Sequence, residues 1–210
     1  MSITPYTPTL AAKHLRTSAD ALAWAVAFAQ SDLRDPAAAQ TGLRAFLGFG
    51  NTAGDRGGVL VNQLVTLEVP GSTTRLRQLS REMREILETL IACREAGRGV
   101  LRGVVFRDLR VTLTDASGLV PRRRWRGPRA PVLVWVDGPV RDVALFLLLR
   151  LLESLGTDAV RRCAACERLT VARRADRRYC SARCRMRDYM RRYRAAGYQP
   201  VGRSPKRGSR

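Results

Sequence analysis

Four of the five cysteines in this sequence fall into two short-spaced pairs, Cys163-x2-Cys166 and Cys180-x3-Cys184, with thirteen residues between the pairs. Each pair can act as one bite of a chelate, and the intervening loop lets the two bites meet. Four thiolates so spaced suit one tetrahedral zinc ion in a structural site with no position left for substrate. Two disulfides are the competing chemistry, but nothing else in the chain suggests secretion. An iron–sulfur cluster takes the same ligands, and spacing alone leaves it open.

The elements that must position these thiols can be read from the residues around them. Cys163-Ala-Ala-Cys166 is tight enough for a knuckle, and Leu169, Thr170 and Val171 suggest a short strand. The polar, basic stretch from Ala172 to Arg178 suits a turn. Ser181 then opens a helix-forming run to Ala196, so Cys180 and Cys184 lie one turn apart at its start and can face one ion. Knuckle, hairpin and ligand-bearing helix together make a treble-clef-like finger. A unit this small has little core of its own, so a bound metal would supply most of its folding energy.

The helix after the second pair carries Arg183, Arg187, Arg191 and Arg194 at spacings of four, four and three, one continuous cationic stripe flanked by Arg185 and Arg192. Arg177 and Arg178 precede it. Met186, Tyr189, Met190 and Tyr193 form a second stripe, expected to pack on the finger or on the larger domain. Asp188 is the only acid in the helix, and nothing nearby in sequence is expected to pair the arginines. Residues 161 to 210 hold 17 basic side chains against 3 acidic ones, which is +14 of the chain's +20. Such a row repels itself, and a polyanion would relieve it, so nucleic acid is the expected partner rather than plain water.

The same segment resembles the zinc finger of the bacterial CGNR family, whose members are regarded as stress-responsive transcription regulators and carry an N-terminal domain of the ABATE type. The elements that carry the likeness are Cys163-Ala-Ala-Cys166, Arg177-Arg178-Tyr179-Cys180 and Cys184-Arg185-Met186-Arg187. The likeness runs over residues 161–196, about 36 of 210. The family's Cys-Gly-Asn-Arg is here Cys184-Arg185-Met186-Arg187, so only the Cys and the last Arg are kept, and the second pair is one residue shorter. The resemblance implies DNA binding and transcription regulation.

The rest of the chain is long enough for one domain of ordinary size. Residues 1–9, with two prolines and three threonines, read as a flexible arm. Residues 10–160 read as an α+β domain for sensing or oligomerisation, mainly helical with a small antiparallel sheet. Residues 161–196 are the four-cysteine finger, and 197–210 a disordered basic tail. Within the domain, Leu10 to Gln30 is a helix burying Leu15, Leu22, Trp24, Val26 and Phe28. Ser31 to Gln40 is a connection, and Leu43 to Phe49 a short apolar segment. Gly48-Phe-Gly50-Asn-Thr-Ala53 has the letters of a dinucleotide fingerprint, but Gly54, Gly57 and Gly58 make the required helix poor, and a Gly-rich loop before a strand from Val59 to Val69 fits better. Arg75 to Ala96 is a helix, capped by Ser72 or Thr73, with an apolar seam at Leu79, Met83, Ile86, Leu90 and Cys93, which makes Cys93 a core thiol. Strands follow near Val104 to Leu113 and Val132 to Val136. The basic loop from Pro121 to Arg129 offers Trp125 as a stacking surface. Val140 to Leu155, the most apolar stretch, falls short of the about 20 residues of a membrane span and reads as the buried central helix. It runs almost directly into the finger, which is therefore expected to be docked.

His14 is the only histidine, and neither paired carboxylates nor a nucleophile–base set is present, so an enzyme is not expected. No signal segment opens the sequence, and the expected compartment is the cytoplasm, at the nucleoid if DNA is the partner. The expectation is a zinc-dependent DNA-binding protein. An RNA- or ribosome-associated protein and a zinc-clasped protein-interaction module whose arginine face meets an acidic partner are the alternatives, and residues 10–160 are a candidate surface for a homodimer or a protein partner.

Overall fold

The computed structural model describes residues 15, 17–52, 59–61, 72–97, 103–115, 132–172 and 176–196. The arm, His14, most of the Gly-rich loop and of the strand after it, the Trp125 loop and the C-terminal tail lie outside these residues. The described elements, in order, are α1 (Ser18–Ala29), α2 (Pro36–Thr52), β1 (Val59–Val61), α3 (Thr73–Glu95), β2 (Arg110–Asp115), β3 (Val132–Asp137), α4 (Val140–Leu155), β4 (Val160–Arg162), β5 (Leu169–Val171) and α5 (Ala182–Ala195), with one 3-10 turn at Thr157–Ala159. The fold is mostly helical with two small sheets, an α+β arrangement.

α1 starts where its sequence caps it. Thr17 accepts the Asp20 amide at 3.1 Å while Asp20 accepts the Thr17 amide at 3.2 Å, a reciprocal capping box. Ala21, Ala25 and Ala29 recur every fourth residue and are fully buried. Small side chains at that spacing let neighbours approach closely, and α1 is touched by α2, α3, α4 and β5. Trp24 stacks on both Phe28 and Phe46, each with ring centroids 5.1 Å apart. The expected buried residues of this helix are all inside. α4 buries Asp142 and eight apolar residues, as its sequence suggests, yet the hub of the packing is α1.

Three expectations are corrected. The stretch around Pro36 is not a connection: Pro36 is the first residue of α2, where its missing N–H costs nothing, and the Asp35 carboxylate accepts the Ala38 amide at 2.9 Å. α2 then runs through Gly48 and Gly50 to Thr52, so these glycines end a helix. A dinucleotide fingerprint needs them to open one. The three-stranded sheet is mixed, not antiparallel. Its order is β1-β3-β2, with β2 antiparallel to β3 and β1 parallel to it. The long crossover through α3 permits the parallel pairing. Finally, Cys93 is only half-buried, because the buried seam of α3 runs through Leu76, Leu79, Met83, Leu87, Leu90 and Ile91, leaving Ile86 and Cys93 at its edge. Ser72 holds the N-cap position of α3 without a side-chain hydrogen bond.

Asp142 fixes the start of α4 against the segment before β2. Its Oδ2 accepts the backbone amides of Arg107 and Asp108 at 3.1 and 3.2 Å, and its Oδ1 accepts Arg141 at 2.5 Å. Gly138 is required here. A Cβ on it would lie 2.9 Å from the Asp108 carbonyl oxygen. Among the described residues, no helix is long and apolar enough to cross a membrane.

Candidate metal centre and the arginine helix

β4 and β5 pair antiparallel, with Val160 opposite Val171 and Arg162 opposite Leu169. The turn between them holds Cys163 and Cys166. The Cys163 amide donates to the Arg168 carbonyl at 2.9 Å, and the Glu167 amide to the Cys163 carbonyl at 2.8 Å. Closing so tight a turn puts Glu167 in the left-handed region, at φ 58°. The chain returns through Arg178, whose carbonyl accepts the Ala164 amide at 3.0 Å. Cys180 follows, and Ser181 caps α5 by accepting the Cys184 amide at 3.2 Å. Cys184 thus sits in the first turn of α5, facing the hairpin that carries the first pair.

These segments bring the four sulfurs within 4.8 Å of one another, with Cys163 and Cys184 buried and Cys166 and Cys180 half-buried. Cys166 Sγ lies 3.7 Å from Cys180 Sγ, which lies 3.4 Å from Cys184 Sγ. Disulfide sulfurs sit about 2.05 Å apart. Four sulfurs at about 2.3 Å from a central zinc stand about 3.8 Å from one another. The set therefore fits a metal and not two disulfides, and it could hold one metal ion. The thiols already differ in acidity. Burial raises Cys163, but the amides of Cys180, Ala165 and Cys166 aimed at its sulfur bring it down to about 6. Burial and the three neighbouring thiols push Cys180 up to about 12. A cation at the centre would remove the conflict between neighbouring thiolates.

The centre is docked, as its short connection to α4 suggests. Val160, Leu169 and Val171 belong to the same hydrophobic cluster as Trp24 and Leu148. Gln30 at the end of α1 donates to the Leu169 carbonyl at 3.0 Å and accepts the Leu169 amide at 2.8 Å. Arg94, in the last turn of α3, donates to the carbonyls of Thr157 and Val160 at 3.1 and 3.0 Å.

α5 behaves differently from its sequence reading in two ways. First, its arginines are not all without partners. Asp188 is 2% exposed and gathers three donors: Tyr179 Oη at 2.7 Å, Arg191 at 2.6 Å and Arg192 at 2.7 Å. The Tyr179 hydroxyl, opposed by burial and helped by Arg192 and Arg191, lowers the Asp188 carboxyl from its ordinary value. Arg177 is half-buried and donates to the carbonyls of Tyr179 and Cys180. Arg178, Arg183, Arg185, Arg187 and Arg194 are exposed. Second, the apolar stripe does not pack. Met186, Tyr189 and Met190 are 58%, 59% and 37% exposed, and the only buried residues of α5 are Cys184 and Asp188. At 3.6 residues per turn, Met186, Tyr189, Met190 and Tyr193 lie opposite the Cys184–Asp188 face. Arg183, Arg187 and Arg194 run along one side of this apolar ridge, with Arg185 and Arg192 along the other. The Tyr189 and Tyr193 rings stack with centroids 6.1 Å apart.

Sequence reasoning missed Gln30 and the role of Asp188. The signal for the second was present: a lone acid in an arginine-rich helix, four residues after a cysteine. Comparison of the chain with family models, with curated proteins and with solved structures finds no match.

Proposed function

We propose that Cys163, Cys166, Cys180 and Cys184 hold one structural zinc ion in a treble-clef-like finger, and that α5 uses the finger as a base from which to bind duplex DNA. Four thiolates favour zinc among common divalent ions, and they leave it no open position for catalysis. The observation that carries the DNA reading is the outer face of α5. It is an apolar ridge between two arginine rows, turned to water and held at its base by the cysteines. Exposed apolar surface rimmed by charge marks a contact surface, and guanidinium groups suit phosphates and guanine edges. Arg183, Arg187 and Arg194 on one side and Arg185 and Arg192 on the other would contact phosphate. The resemblance to CGNR fingers adds transcription regulation to this reading.

One observation favours RNA as the second reading. The stacked Tyr189 and Tyr193 pair, in which Tyr189 is exposed and Tyr193 half-buried, offers an aromatic surface to unpaired bases, which duplex DNA does not present. The two are separated by titrating the zinc-loaded protein against random duplex DNA and against a structured RNA across a salt series. Replacing Arg183, Arg187 and Arg194 together by Gln should flatten the log–log salt slope by about three. An unchanged slope would remove α5 from the interface and leave a protein partner as the better account.

A further inference from the structure

A cavity of about 710 Å³ opens between α3, α4 and residues 103–107, away from the metal centre. Its volume is that of a small-molecule site. α3 and α4 run side by side in the same direction, tied by Arg141 to Glu82 near one end and by Arg94 to the Thr157 carbonyl at the other. Ile86, Leu90, Leu145, Leu149 and Leu152 give the cavity an apolar wall.

The charges around that wall are unequal. Arg141 lies between two carboxylates, Glu82 at 2.6 Å and the buried Asp142 at 2.5 Å, so this trio carries one surplus negative charge. Arg150 pairs with Glu153. Glu85, one helical turn beyond Glu82 on the cavity side of α3, has no ion pair among the described residues. Among the described residues, the remaining cation of the lining is Arg107, exposed like Glu85, and counting both still leaves one surplus negative charge. This described lining is net negative and apolar in a chain whose overall charge is +20.

We propose that this cavity binds a small lipophilic cation: an apolar body against the leucine wall, with one positive charge beside Glu85 and Glu82. The site is independent of the zinc and nucleic-acid readings. An anion would be drawn instead to the arginine-rich surface, so the sign of the preference tests the idea.

The probes are tetraphenylphosphonium and tetraphenylborate, which share size and shape and differ in charge, titrated calorimetrically into the metal-loaded full chain. Tetraphenylphosphonium should bind one to one. Glu85→Gln, at an exposed position, should weaken it about fivefold to tenfold, as loss of a single charge partner does. Leu149→Trp, which fills the cavity, should abolish it. Glu88→Gln, outside the lining, should leave it unchanged. Three results would overturn the proposal. They are no saturable binding of the cation at about 1 mM, binding that both Glu85→Gln and Leu149→Trp leave intact, and tighter binding of the borate that Leu149→Trp removes.

Discussion

Gln30 and Leu169 are joined by two hydrogen bonds that turn the Gln30 side chain into a substitute strand: its amide NH2 donates to the Leu169 carbonyl and its carbonyl accepts the Leu169 amide. β5 has β4 on one edge and Gln30 on the other, so the hairpin that carries two of the four cysteines cannot swing without breaking both bonds. Gln30→Leu keeps the size and strands both backbone groups of Leu169, at a cost of about 2 kcal/mol. Denaturant unfolding of the metal-loaded protein should show the loss, and hydrogen exchange should speed at the Leu169 amide. An unchanged exchange rate there would mean that Gln30 does not hold the finger.

Glu167 closes the first cysteine pair at φ 58°, a conformation that costs an L-residue with a Cβ about 1–2 kcal/mol. Glycine adopts it freely but loses more entropy on folding. Glu167→Gly should therefore stabilise the metal-loaded protein slightly, by about 0.5 kcal/mol. Glu167→Val should destabilise it by about 1 kcal/mol or more, and should lower zinc affinity in a chelator competition. Equal zinc affinities for the Gly and Val variants would contradict this account of the turn.

Asp142 sets part of the acid sensitivity. Burial pushes its carboxyl up, but the Asp108 amide, the Arg141 guanidinium and the Arg107 amide together bring it below its ordinary value. A carboxylate lowered in the folded state contributes stability above the ordinary range, about pH 3.9. That contribution is lost as pH falls through the lower folded value. Asp142→Asn should cost about 2 kcal/mol at neutral pH, because it weakens the charge-assisted bonds from the Arg107 and Asp108 amides and from Arg141, which keeps only Glu82. The wild-type and Asn melting curves should converge as the pH drops below the carboxylate range. Parallel curves down to the lowest accessible pH would contradict the assignment.

The arginines of α5 should separate into two groups. Arg187 is exposed and makes no ion pair among the described residues, whereas Arg191 donates to the buried Asp188 at 2.6 Å. Arg187→Gln should lower the salt slope of nucleic-acid binding by about one and leave thermal stability unchanged. Arg191→Gln should lower the melting temperature as well. Identical behaviour of the two variants would show that the Asp188 clamp has no structural weight.

What was legible in the sequence follows from how local each signal is. The cysteine pairs were legible because ligand spacing is a local property, and the structure brings all four sulfurs together. The apolar run of α4 is local too, whereas the first helix, read from Leu10, begins only at Ser18 behind the Thr17 capping box, a start signal that the alanine-rich run before it masked. Pro36 was misread because proline both breaks helices and begins them, and only Asp35 and the following alanines decide which. The parallel partner of β3 lies more than seventy residues away, beyond the reach of any turn signal. The apolar stripe of α5 was expected to pack because apolar residues at helical spacing generally do. It is exposed because Cys184 and Asp188 fix which face of α5 meets the finger, and they turn Met186 and Tyr189 away.

The central claim, that a metal held by four cysteines organises a nucleic-acid-binding helix, is tested most directly by one comparison. Affinity for a random duplex is measured at low and moderate salt for the zinc-loaded protein, for the same protein after chelation, and for Cys180→Ser. The account predicts tight, steeply salt-dependent binding by the loaded protein and weak binding by the other two, with recovery when zinc is returned to the chelated wild type but not to the variant. Equal affinity in all three would contradict it, because the basic charge alone would then bind and the metal centre would have no part in presenting α5.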